Sequence, residues 1–391
     1  MSKKTKKTTG KLKTSPVKTE LTPVLGLERW EELLRSGFSV PALKSAAENK
    51  EHEILRPLAE DWIVPVQTPA WPQWWPGCCL IDPAGGRLFA AGASDEGLGC
   101  FDTVSGRKIW SLPGGTLGRS GGLALIHDVL YAADRWNSRI LRLDAETGKE
   151  LGRIEQSAPG RPLDEPSDIL SLERDGRAEL WICERGAHRI SRLDPQGGSL
   201  GWIGSRGLTF EETVRRFTGK PEDDRNILFE FPESLSLARD IDGTQAVFVW
   251  DGCNGRLVAL DTGGSLLRRI YPQQDGNARY CGQVRVFTFS GGPLVLGIDD
   301  AANCLRIWDH EGFLLASLGL DDTCSRSPRA ERVRFAQDKE KVLLVSSRGR
   351  TFRLNGPLSR PEELISALIA IFPGSPELHL SLAERRAAEG V

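Results

Sequence analysis

The stretch Val129 to Gly148, VLYAADRWNSRILRLDAETG, constrains the fold most, because its pattern recurs along the chain. Leu130, Tyr131 and Ala132 open a strand that Asp134 ends, and Trp136, Asn137 and Ser138 make a turn. Arg139 to Leu143 returns, and Asp144 to Gly148 turns again. Apolar, β-rich runs bounded by Asn, Asp and Gly are the signal for a hairpin. Such tight polar turns reverse the chain without stranding backbone groups.

The pattern returns at Leu180 (LWICERGAHRISRLDPQGG), Val247 (VFVWDGCNGRLVALDTGG) and Leu294 (LVLGIDDAANCLRIWDHEG). An acid stands ten residues before the closing Asp in all four copies: Asp134 before Asp144, Glu184 before Asp194, Asp251 before Asp261, Asp299 before Asp309. Arg139, Arg189 and Arg256 stand five before it, and Cys304 takes that place in the fourth copy. Weaker copies close on Asp102 and Asn355, and successive closing residues fall 42, 50, 67, 48 and 46 apart. Units of this length, each reading as four strands, build radial blades.

This pattern, strand-Asp-x-x-x-x-Arg-Ile-x-x-Leu-Asp-x-x-Gly, resembles the NHL repeat over Cys78 to Gly356. The resemblance implies an all-β, six-bladed β-propeller. Propellers of this kind include scaffolds for protein and RNA binding as well as lyases and lactonases, so the fold does not by itself select a function. Around it we expect a disordered basic tail (1–20), an N-terminal helical segment (21–61), the propeller (62–357) and a C-terminal helical segment (358–391). The sixth unit lacks a fourth strand-like run. An unpaired blade edge is sticky, so residues 62–66 are expected to supply the missing strand and close the ring.

Charge narrows the partners. Residues 1–18 carry seven Lys and no acid, which leaves 44 basic against 53 acidic residues, or −9, for the rest. A nucleic-acid reader normally has a basic domain, so binding through the Lys-rich tail is a minor alternative. Such a tail is ordinarily just solvated. No run of 18 apolar residues predicts a spanning helix, and the N-terminus lacks the apolar core of a secretory signal. The eight cysteines form no C-x-x-C pair, which excludes zinc sites of that spacing. Reduced thiols in a cytoplasm are therefore expected.

No G-x-S-x-G, phosphate-binding glycine loop or H-E-x-x-H occurs, and no catalytic residue is assigned. The turns between second and third strands share a face with the blade-to-blade links, where binding residues usually lie. On that face Trp136, Arg185, His188, Asn254 and Asp300 differ between copies, which marks them as candidate contacts rather than parts of the repeat. The repeated acids Asp134, Glu184, Asp251 and Asp299 could ring the central channel and hold Ca²⁺ through oxygen ligands. The simpler reading is that each caps its own turn and pairs with the arginine that follows. The vicinal Cys78 and Cys79 would face opposite ways in a strand, with nothing nearby to lower a thiol pKa. Between the third and fourth units, residues 205–230 form the longest insertion, with a capping-box helix signature at Thr209 and Glu212.

The expected function is thus a non-catalytic protein-interaction scaffold without a cofactor, binding protein partners through the propeller face or the terminal helices and not a membrane. The main alternative is a metal-dependent lactonase, esterase or lyase with Ca²⁺ in the channel.

Overall fold

The computed structural model describes residues 63–66, 76–82, 86–92, 97–103, 105–207, 227–272, 283–289, 292–299, 304–308, 310–312, 314–319, 333–338, 341–346 and 351–354. The basic tail, both expected terminal helical segments and the helix expected from Thr209 and Glu212 lie outside them.

The protein is an all-β propeller. Among the described residues are six four-stranded sheets. Blade one starts at Pro76–Asp82, blade two at Ser120–Ile126, blade three at Pro166–Arg174, blade four at Pro232–Arg239, blade five at Gln283–Phe289 and blade six at Val333–Asp338. Within each blade, successive strands pair antiparallel. The fourth strand of blade six is Ile63–Val66, with Ile63 opposite Leu354 and Val66 opposite Thr351. The first strands of successive blades lie side by side from blade one to blade five, and those of blades six and one do so too. The first strands are therefore innermost, and the sheets radiate from them.

Packing between blades explains the composition of the second strands. Leu130 and Ala132 point toward blade one, in a cluster with Phe89, Leu98 and Trp110. Tyr131 and Ala133, one residue out of phase, point toward Leu180 and Ile182 of blade three. Trp181 and Cys183 then face Val247 and Val258 of blade four, and Phe248 and Trp250 face Val286 and Trp308 of blade five. A strand covered on both faces needs a continuous apolar run, and alternation along it serves two seams at once. Fourth strands are half-covered, so Leu151, Leu200, Trp202 and Leu267 remain exposed there.

The closing turn of each repeat docks on the preceding blade. Trp110 Nε1 donates to Ala145 O (3.0 Å), and the Tyr131 hydroxyl donates to Pro195 O (2.9 Å). This contact is why the repeat ends in glycine. Gly264 has φ +96, and a Cβ there would lie 2.6 Å from Ile203 Cδ1. Gly148 is placed the same way over the Trp110 ring. Serines stitch the innermost strands: Ser171 Oγ donates to Leu125 O (3.1 Å), and Ser234 Oγ donates to Val284 O (2.6 Å). Two small additions were not legible in the repeat. Gln156–Ala158 pairs with Arg161–Pro162, and Ser205–Arg206 pairs in parallel with Leu228–Phe229 at the base of the long insertion.

Gly264→Ala should destabilise the protein more than Gly243→Ala. Both sites have positive φ, but a Cβ at Gly243 meets nothing within 4 Å. Backbone strain alone costs about 1–2 kcal/mol, and the clash with Ile203 should add about 1–3 kcal/mol. Urea denaturation of the two variants measures the difference, and equal losses would show that the glycine is not required by the seam.

Candidate functional site

Each repeated acid ends a second strand, and Asp134, Glu184 and Asp251 are wired to the chain that enters their blades. Asp134, Glu184 and Asp251 are completely buried. Arg139 lies 2.8 Å from Asp134, Arg189 3.0 Å from Glu184, and Arg256 3.0 Å from Asp251. The acids also accept backbone N–H bonds, from Gly118 (2.9 Å), Asp164 (3.1 Å) and Glu230 (2.7 Å) respectively. These donors belong to the links before the first strands. The expected pairing with the following arginine is present for these three acids, while the backbone N–H groups they accept come from the link rather than from their own turns. The arginines complete the tie. Arg139 Nη2 donates to Thr116 O, Arg256 Nη2 to Leu228 O, and Arg189 Nη2 to the Ser157 hydroxyl.

The position of these acids bears on the channel. They sit on second strands, one strand out from the centre, and each faces its own link. Among the described residues no group of three His, Cys, Asp or Glu is placed to hold a metal ion. Asp299 is described only as the end of its strand, opposite Cys304, and Asp300 lies outside the described residues. The innermost strands instead carry Asp168 of blade three, 2.7 Å from Arg285 of blade five and accepting the Leu235 N–H of blade four at 2.7 Å. That ion pair spans an intervening blade, and sequence spacing gave no sign of it. Cys78 is buried in this region, and burial, then Cys79 and Asp168, push its thiol up. An inert thiol is the result.

The remaining candidates divide by what they touch. Asn254 Nδ2 donates to Asp251 Oδ2 (2.7 Å), as Asn137 Nδ2 does to Asp134 Oδ2 (2.8 Å). Asn254 is thus a part of the tie and is not turned outward. Arg185 joins a row of charges that runs from blade two to blade four. Arg135 lies 3.2 Å from Glu165, Glu165 lies 3.2 Å from Arg185, and Arg185 lies 3.1 Å from Glu233. Burial opposes ionisation of Glu165, but the bond from Arg135 and the charges of Arg135 and Arg185 hold its carboxyl below the usual range. Burial, then the nearby guanidinium groups of Arg185 and Arg119, pull Arg135 down. Arg135, Glu165, Phe231 and Glu233 were missed in the sequence. A signal existed for the first, since an arginine directly follows the acid in blades two and three (Asp134-Arg135, Glu184-Arg185) and not in blade four.

His188 sits beneath this row. Its Nδ1 accepts the Phe231 N–H at 3.2 Å, and its ring lies 4.4 Å from the Phe231 ring, which Arg185 also covers at 4.4 Å. Burial lowers the imidazole pKa against the opposing pull of Glu230. A neutral ring with its proton on Nε2 fits an Nδ1 acceptor. Trp136 differs from all of these. It is 67 % exposed at the tip of its turn. Its Cβ backs onto Gly118, where an added Cβ would lie 3.2 Å away.

No protein-family model and no curated protein matches the chain. Among solved structures, virginiamycin B lyase from Staphylococcus aureus is similar over 75 % of this chain and 85 % of its own, at 11 % identity and a TM-score of 0.47. Hydrazine synthase from Kuenenia stuttgartiensis is similar over 72 % and 75 %, at 14 % identity and 0.44. BamB from Moraxella catarrhalis is similar over 70 % and 81 %, at 13 % identity and 0.38.

The buried pair in blade four gives a pH-dependent test. Burial, despite Arg256, pushes the Asp251 carboxyl up to about 6, above the ordinary value of about 3.9. The folded chain then holds this proton more tightly, so the group's contribution is full below about pH 4 and lost as pH rises through about 6. Arg256→Met strips the carboxylate of its cation and should cost about 3–5 kcal/mol at pH 7. The cost should be clearly smaller at pH 5, where the carboxyl takes up a proton. Urea denaturation at both pH values checks this, and equal costs would show that the pair is not what holds Asp251.

Proposed function

We propose that the protein is a non-catalytic interaction scaffold that binds a partner protein on the face formed by the turns and links of blades two to four. The observation that carries this reading is Trp136. On a face where Arg135, Glu165, Arg185 and Glu233 are bonded in a row, one large aromatic is 67 % exposed on a turn held from three sides. Rigid, exposed Trp residues supply contact area at little entropic cost and dominate interface energies. A propeller is suited to this role because its loops are carried by packed blades.

The metal-enzyme alternative draws less support. It needs carboxylates that converge with free oxygens, whereas Asp134, Glu184 and Asp251 are each bonded within separate blades. Residues 1–20, on which tail-mediated nucleic-acid binding would depend, lie outside the described residues.

A photo-crosslinking amino acid placed at Trp136, and for comparison at Leu151 on an outer strand, tests the reading in the native host. The expected result is one protein adduct specific to position 136. That protein, once purified, should bind Trp136→Ala about tenfold or more weaker than the unaltered chain. Identical adducts from both positions, or unchanged affinity in the alanine variant, would remove the face from consideration.

A further inference from the structure

We propose that the partner presents an acidic peptide segment with an apolar side chain beside its carboxylates, and that Arg119 and Trp136 read the two features together. This rests on the face assigned above and adds the chemistry of what it takes.

The link and the turn of blade two are built as one unit. Leu117 is completely buried and anchors the link. Gly118 N donates to Asp134 Oδ1, and Arg139 Nη2 donates to Thr116 O. Arg119 O accepts the Arg135 N–H at 2.9 Å. These bonds fix the backbones of Arg119, Arg135 and Trp136 against one another. The side chains then differ sharply in what they have to bond. Arg139 is paired with Asp134, and Arg135 shares Glu165 with Arg185. Arg119 is exposed, and among the described residues its guanidinium has no acceptor and no ion pair.

An exposed guanidinium and an exposed indole carried on backbones bonded to one another are a matched pair of recognition groups. Guanidinium binds carboxylate through two parallel N–H···O bonds. The indole offers an apolar plate for a neighbouring side chain. Trp and Arg are also the residue types that carry most interface energy. Arg135 adds a second cation whose one carboxylate partner, Glu165, is itself shared. Among the described residues the excess positive charge here is therefore local and small, which suits one or two carboxylates.

A nucleic acid is disfavoured by the same facts. Polyanion binding needs several cations in a track along the backbone, whereas Glu165 and Glu233 interrupt this row. The chain beyond residue 18 carries a net −9, from 44 basic and 53 acidic residues, and repels a polyanion overall.

The test is selection of a random-peptide display library on the full-length protein, followed by anisotropy titration of synthetic winners. The selected pool should be rich in Asp and Glu flanking an apolar residue. Its peptides should bind about tenfold weaker to Arg119→Glu and to Trp136→Ala. Arg177→Glu, an equal charge reversal on an exposed hairpin at the opposite rim, should leave affinity unchanged. A winner with its acids replaced by Lys should regain affinity for Arg119→Glu. Arg119 has no side-chain partner among the described residues, so this variant should keep the thermal midpoint of the unaltered protein.

A neutral or basic pool that still depends on Trp136 would overturn the acidic preference and leave the binding face standing. A pool indifferent to Trp136, or no enrichment at all, would count against both. Binding of a labelled oligo-U that Arg119→Glu abolishes, without peptide binding, would replace the peptide with RNA.

Discussion

Three carboxylates without solvent contact, Asp134, Glu184 and Asp251, govern how this propeller presents its loops. A buried charge is tolerated only when it is paired and hydrogen-bonded. Each of these has an arginine within 3.0 Å and a backbone N–H from the incoming link. The requirement acts in both directions. The acid needs the link's N–H, and the link N–H, which lies outside the four-stranded sheets, needs an acceptor. Turn, link and blade are thereby one rigid piece, and side chains that project from it keep fixed positions.

Three zones follow from this wiring. The seams are apolar and serve two neighbours per strand, as Tyr131 and Leu130 do from adjacent positions. The centre is polar in places, with serines bonded across blades and Asp168 paired to Arg285 over the strand between them. The turn face combines bonded and unbonded side chains. There the row Arg135, Glu165, Arg185 and Glu233 consumes its own charge, while Trp136 and Arg119 stay open to solvent. The contrast between bonded and unbonded groups, more than the fold class, points to where a partner would sit.

The fold was legible because the repeat carries its own physics. Alternating apolar runs, the acid with its arginine in blades two to four and the closing Asp-x-x-Gly each reflect a contact that recurs from blade to blade. The pairing of Ile63–Val66 with Thr351–Leu354 was readable because the last unit lacked a fourth run. The site was legible only in part. Trp136 stood out because no other copy has an aromatic there, and the structure exposes it. Asn254 also looked variable, yet it bonds Asp251 as Asn137 bonds Asp134; with only two of four copies carrying Asn, the repeat concealed its role. Asp168 and Arg285 lie 117 positions apart on different blades, and no local pattern encodes a contact that closes only when the blades assemble. Arg119 stands in a link, where the repeat has no fixed grammar, so nothing in the sequence singled it out.

Hydrogen–deuterium exchange resolved to single amides tests the wiring most directly. The N–H groups of Gly118, Asp164 and Glu230 lie in links outside the four-stranded sheets, so open loops would exchange them quickly. The account requires them to exchange as slowly as the strand amides of Val129–Asp134. Fast exchange at these three positions, with the strands protected, would show that the acids do not hold the links and that the turn face is not a fixed platform.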